Sequence, residues 1–352
     1  MKVGIITLLG NNYGGILQAY ALNHKLKEIG VETININFEL TKKKKTIKSK
    51  IQDVVYMQRN NKFKQFKKMY LNLSPKVNAK NINEDRFKCD AYIAGSDQIW
   101  NQQIPMEDRR AFFLDFVKYA KKISYAASVG RDTIEETEKE IIKKLLDNFD
   151  AISIREKTGV NLYQPLTKNK IQNVLDPTLL LTSSEWDDVA KEEKINQEYI
   201  FSYTLGADKN TLTSIDEIST ELKTKIVEIS YKKNFKNEIK NINNAGPKEF
   251  IGLIKNSKYV VTNSFHGMVF SILYKKDFWV FKRGNMNSRI YDLLAILGLQ
   301  DRIVDVDDVD KNEGQESIKW DQKINYETVY KKLEEEKEQS IIYLKEALAI
   351  SK

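Results

Sequence analysis

Short apolar runs alternate with amphipathic stretches along most of the chain. Period-two or continuous apolar segments of about five residues read as buried strands, and periods near 3.6 read as helices. The pattern predicts strands at "KVGIIT", "ETININ", "DAYIAG", "KISYAAS", "AISI" and "QNVL" in the first half. Between the first two lies "GGILQAYALNHKLKEIG", a helix with Leu22, Leu26 and Ile29 on one face and Gly30 as its stop. After "LDPTLLL", Ser183 and Ser184 open a polar helix. The alternation then restarts with "YIFSYTLG", "KIVEIS", "KYVVTN" and "DFWVF", and a long amphipathic helix from Glu327 closes the chain. Strand–helix alternation of this kind builds parallel sheets. The fold class expected is α/β, with two Rossmann-like domains facing a cleft, residues 1–185 and 186–352.

Composition narrows the class. With 352 residues, 41% hydrophobic and 30% charged, the chain suits a soluble protein of two domains. No apolar run approaches the ~18 residues of a membrane-spanning helix. The apolar start gives way to Asn11-Asn12-Tyr13-Gly14-Gly15 and reads as a first strand rather than a secretion signal. A lone Cys89 permits no internal disulfide, so the expected location is cytoplasmic. No metal site is expected, because no His, Cys and carboxylate cluster has ligand spacing. The net charge is +8, yet residues 41–70 hold eleven Lys and Arg against Asp53 alone. That stretch reads as a solvated helical face or as a surface for anionic headgroups, with peripheral contact at the inner membrane face. Its aromatics fall at helical spacings, so nucleic acid is not an expected partner.

Open parallel sheets bind ligands beyond the carboxyl ends of their strands, so chemistry is sought in those loops. Asn12, Tyr13, Gly14 and Gly15 stand at a strand-to-helix turn, with Gln18 one turn on. Glycines there admit a ligand to the backbone or simply tighten the turn. "AGSDQIWN" brings Gly95, Ser96 and Asp97 to another strand end, with Trp100 available to stack on a sugar; a helix cap with a buried Trp is the plainer account. Arg155 ends a strand, where it can grip a carboxylate or phosphate, or pair with Glu156. Ser264 caps a helix whose first turn carries His266 between Phe265 and Gly267. A helix N-terminus disfavours an imidazolium and a bound anion favours it, which suits acid/base work. Lys282, Arg283 and Arg289 follow a strand and complete a candidate anion site. His24 falls opposite the apolar face of its helix and reads as exposed.

Taken together, "NYGGILQAYAL", "AYIAGSDQIWN", "SYAASVG", "SIREKTG", "VLDPTLLL", "GPKEFIGLIKNSKYVVTNSFHGMVFSILY" and "NSRIYDLLAILGLQDRI" resemble the polysaccharide pyruvyltransferase family from Val3 to about Arg302. The resemblance implies a glycosyltransferase-B-like architecture and transfer of enolpyruvate from phosphoenolpyruvate to a sugar, forming a pyruvate ketal. It implies His266 and Arg155 as catalytic residues. Phosphoenolpyruvate is the donor substrate, no further cofactor is expected, and the acceptor is a glycan or lipid-linked saccharide lying against the first domain. Two other functions fit the same residues: a sugar-nucleotide glycosyltransferase, or a polyanion-binding module using residues 42–68. The helix after His266 has no carboxylate until Asp277 to hold a ribose, which counts against the first.

Overall fold

The computed structural model describes residues 1–41, 56–230, 234–282, 288–305 and 319–350. Lys42 to Lys50 of the basic stretch and Arg283 therefore lie outside the described residues, while Arg59, Lys62, Lys64, Lys67 and Lys68 lie within them.

The chain opens with β1 (Lys2–Ile6), α1 (Tyr13–Glu28) and β2 (Glu32–Ile36). Helix α1 starts because the Asn12 side chain accepts from the Gly15 N–H, and it ends as Gly30 turns at φ +80°. There follow α2 (Met57–Tyr70), β3 (Ala91–Ala94), α3 (Met106–Phe112), β4 (Lys121–Ser124), α4 (Glu136–Leu146), β5 (Ile152–Ile154), α5 (Lys157–Tyr163) and β6 (Ile171–Asn173). One parallel ladder runs β2-β1-β3-β4. Parallel bridges Ile123–Ala151 and Ala127–Ile154 carry it on to the β5-β6 pair. The sequence predicts one strand from Lys122 to Ser128. The structure ends it at Ser124, because Ala126 takes φ +52°, and pairing resumes only at Ala127.

A short 3₁₀ turn, Pro177–Leu180, and α6 (Ser183–Asp187) lead to the second half. The cap of α6 is Thr182, whose hydroxyl accepts from the Glu185 N–H while Glu185 accepts from the Thr182 N–H. The elements after it are β7 (Tyr199–Tyr203), α7 (Lys209–Glu221), β8 (Lys225–Glu228), β9 (Glu238–Asn241), α8 (Pro247–Lys255), β10 (Tyr259–Thr262), α9 (Phe265–Leu273), β11 (Asp277–Phe281), α10 (Ser288–Leu297), β12 (Ile303–Val304) and α11 (Tyr326–Ala347). The sheet order β9-β8-β7-β10-β11-β12 reverses at β7/β10, the switch point where such sheets open a crevice. α9 starts from the carboxyl end of β10, at that crevice.

Candidate functional site

Strand β5 delivers Arg155 to the junction of the two halves. Asn173 fixes the turn by donating to the carbonyls of Ile154 and Arg155 at 2.9 Å each. The guanidinium is buried and donates from Nη1 to Oδ2 of Asp176 at 2.5 Å. Ser96 Oγ donates to the same oxygen at 3.0 Å, and Thr178 satisfies Oδ1 from its N–H and hydroxyl. Burial alone would raise the Asp176 carboxyl; His266 and Arg155 more than offset it and hold it well below its ordinary range. Glu156 Oε2 lies 3.9 Å from Arg155 Nε. Nε and Nη2 of Arg155 are nonetheless buried without a hydrogen-bond partner among the described residues. Glu156 Oε2 is also buried without a hydrogen-bond partner among the described residues.

His266 comes from the other half. Ser264 caps α9 by accepting from the Gly267 N–H, and its own N–H donates to Thr262 Oγ1. This places His266 in the first turn, 6% exposed. Its Nε2 lies 3.5 Å from Asp176 Oδ2 and has no hydrogen-bond partner among the described residues. The imidazole rests on α1, where a Cβ on Gly14 would lie 1.9 Å from Nδ1. Gly14 is therefore needed by the histidine of the opposite half. Gly267 likewise leaves room for Thr262 Oγ1, which a Cβ would meet at 2.5 Å, rather than for a ligand. Phe265 turns its ring to two cations, with Arg155 Cζ 4.5 Å and Arg289 Cζ 6.0 Å from its centroid.

Arg289, in the first turn of α10, reaches back to the first half. With the Gln98 amide oxygen turned toward it, its Nη2 and Nη1 donate at 2.6 and 2.8 Å. Burial first, and then the like charge of Arg155, lower Arg289 to about 10. Asp97 adopts φ +75°, a left-handed conformation Asp tolerates, and its carboxylate sits over Gly15. His266 and Asp97 thus flank consecutive glycines of α1.

From Asp97 and Gln98 a cleft of about 1160 Å³ runs across the first half, past Asn11, Asn12, Asn37 and Asn60 to Lys64, Lys67 and Lys68 of α2. Several expected contacts lie elsewhere. Tyr13 is buried, stacks on Phe250 at 4.5 Å and donates to the Ala245 carbonyl at 2.6 Å, so it joins the halves instead of lining the cleft. Gln18 lies beneath the floor, donating to Thr7 and Gly15. Trp100 is fully buried between Phe113 and Tyr163 and cannot stack on a sugar. Gly95 packs against Thr7, and Ser96 serves Asp176. Lys282 is exposed and paired with Asp305. The sequence places Gln98 at the strand end of "AGSDQIWN" without a role, and it singles out neither Asp176, which stands within "VLDPTLLL", nor the steric role of Gly14.

His24 is half-buried, with Nε2 3.5 Å from Glu185 and its ring beside Tyr20. His24, Glu28 and Glu185 bring ligand atoms within 4.8 Å of one another, a grouping that spacing alone did not reveal. Lys25 answers its charge, with Nζ 2.5 Å from Glu28 and 3.8 Å from Glu185. Among the described residues no helix is long and apolar enough to cross a membrane.

Comparison with known proteins adds a family and a fold. The family model described as polysaccharide pyruvyl transferase matches residues 12–285. No curated protein matches the chain in sequence. Among solved structures, MnaA of S. aureus bound to UDP superposes with TM-score 0.58 at 11% identity, over 99% of this chain and 97% of that one. A putative UDP-N-acetylglucosamine 2-epimerase from Listeria monocytogenes gives 0.56 at 12%, over 98% and 90%. The UDP-N-acetylglucosamine 2-epimerase of Rickettsia bellii gives 0.51 at 11%, over the full length of both. At these identities the likeness shows the fold alone, the two-sheet glycosyltransferase-B architecture.

Proposed function

The chain belongs to the polysaccharide pyruvyl transferase family, and from that premise we propose that it moves enolpyruvate from phosphoenolpyruvate to a sugar diol of a cell-surface polysaccharide or its lipid-linked precursor. One observation carries the reading. Two buried groups from opposite halves, the Arg155 guanidinium and the His266 imidazole, meet at Asp176 with unpaired nitrogens. Phosphoenolpyruvate carries two anionic groups. Arg155 receives its carboxylate, and the phosphate lies toward Arg289 and the α9 N-terminus.

The reaction then balances as follows. A proton is added to the methylene carbon, and the double bond opens to leave a cationic C2. One sugar hydroxyl forms a C–O bond there and the C–O bond to phosphate breaks. The second hydroxyl closes the ketal. Of the two hydroxyl protons, one makes up the new methyl group and the other leaves on phosphate. His266 delivers the proton to C3 and recovers one from a hydroxyl that attacks C2, and Asp97 accepts the proton of the other hydroxyl, which leaves on phosphate. Burial around Asp176 keeps water from capturing C2.

The glycosyltransferase alternative draws support from UDP-bound neighbours, but these share the fold alone. Asp277 does not serve a ribose here, since it accepts from the Ile324 N–H and Lys323 at the opposite, amino end of β11. Incubation with phosphoenolpyruvate and a panel of glycans tests the proposal. Phosphate release matched by a pyruvate ketal in the product mass supports it. Release of UDP from a sugar nucleotide, with phosphoenolpyruvate untouched, overturns it.

A further inference from the structure

The far wall of the cleft is basic, and the reading above does not use it. Lys64, Lys67 and Lys68 of α2 line it together with Lys76. Lys76 is paired with Glu39 at 2.6 Å. Lys64, Lys67 and Lys68 have no carboxylate partner among the described residues. Lys67 is half-buried, and among the described residues its ammonium donates only to the Leu9 carbonyl, at 3.0 Å. Burial, and then the charge of Lys76, lower its proton affinity. Three ammonium groups along one cleft, of which Lys67 is half-buried, repel one another until an anion enters. The same cleft is lined by Asp97 and by Asn11, Asn12, Asn37 and Asn60; Asn11 donates to Asn60 at 2.9 Å and Asn12 accepts from Gly15, and the amide atoms left over suit sugar hydroxyls.

We propose that the cleft binds a glycosyl phosphate, with the sugar over the asparagines, its reacting hydroxyls at Asp97, and its phosphate on Lys64, Lys67 and Lys68. This rests on the acceptor side of the function proposed above and gives that acceptor an anionic end.

Binding tests it without turnover. Calorimetric titration with N-acetylglucosamine 1-phosphate should give at least tenfold tighter binding than N-acetylglucosamine. Lys67→Gln should reduce that preference about tenfold, the range of a hydrogen bond to a charged group. Lys64→Gln/Lys68→Gln, at exposed positions that leave folding intact, should reduce it as well. Phosphoenolpyruvate titrated separately should bind all of them equally, so loss of the donor site and loss of this site are told apart. A UDP-sugar and a polyprenyl-diphosphate sugar in neutral micelles separate the two sources. Tighter binding of either supports the proposal and names the carrier. Equal affinity for neutral and phosphorylated sugar overturns it. So does inorganic phosphate binding as tightly as the sugar phosphate. Binding to phosphatidylglycerol vesicles that the lysine variants lose, without any glycosyl phosphate preference, assigns the lysines to a membrane surface instead.

Discussion

An imidazole nitrogen held unpaired beside a buried ion pair is a cost to the fold, so replacing it separates chemistry from packing. His266→Gln should lower pyruvyl transfer by about a hundred- to ten-thousand-fold, while the melting temperature stays within a few degrees. Loss of activity through unfolding would instead make His266 a packing residue. Arg155→Lys keeps charge toward Asp176 but loses the planar fork. The apparent KM for phosphoenolpyruvate should rise about ten- to a hundredfold, the scale of a charged hydrogen bond; an unchanged KM would confine the arginine to the ion pair. Asp176→Asn removes the carboxylate that bonds the guanidinium and leaves only Glu156, at 3.9 Å, to face it; breaking a buried pair typically costs about 3–5 kcal/mol. The wild-type carboxyl is held below its ordinary value, so its contribution is present above about pH 4 and lost as pH falls below it. Urea melts at stepped pH should therefore show the wild type and Asp176→Asn converging in acid. A gap that widens below pH 4 would contradict this.

Element by element, what the sequence makes legible is whatever lies within one strand–helix unit. Apolar alternation marks β1, β3, β7 and β10, and Ser264 announces the start of α9 because capping is local. Arg155 and His266 are readable as strand-end and helix-start residues for the same reason. Their meeting at Asp176 is not readable, since Asp176 reaches His266 across 90 residues of chain. The same limit explains Tyr13 and Trp100, which look like ligand contacts only while the Phe250 and Tyr163 that bury them are out of view. It explains the glycines too: the pair opening α1 looks like a ligand cradle, and Gly14 is one, for a side chain of the other half. Gly14→Ala tests this at the level of the element. Alanine favours a helix over glycine by about 1 kcal/mol, so α1 itself should not suffer. The Cβ would lie 1.9 Å from His266 Nδ1, and the ring must move. Transfer should fall as far as in His266→Gln, with kcat affected more than KM. Near-normal kcat would show that the ring has a second productive position.

The two halves have separate sheets but not separate cores. One continuous apolar cluster joins Val3, Ile5 and Leu17 of the first half to Phe250, Val260 and Phe270 of the second. Helix α11 then crosses the junction. Near its start Tyr326 donates to the Lys276 carbonyl and Tyr330 to that of Leu273, both in the second half. Near its end Ser340 accepts from the Leu175 N–H, and Tyr343 donates to the Ser124 carbonyl, both in the first. The amphipathic pattern predicts this helix but assigns it to the second domain, because nothing in its period says which partner its far end meets. A site assembled from β5 on one side and α9 on the other needs the halves held in register, since small misplacements of reacting groups are expensive in rate. The shared core and the α11 strap provide that register. Calorimetry of the whole chain should accordingly show one cooperative transition despite two sheets. A chain ending at Glu334 keeps the tyrosines on the second half and loses Ser340, Tyr343 and Leu344. Each large apolar side chain removed from burial costs about 1.5–3 kcal/mol, so the truncated protein should melt lower, with the first half leading in a separate transition. Two resolved transitions in the whole chain would show that the shared core and the helix do not couple the halves, and a truncated chain that melts like the whole would show that some contact other than this helix couples them.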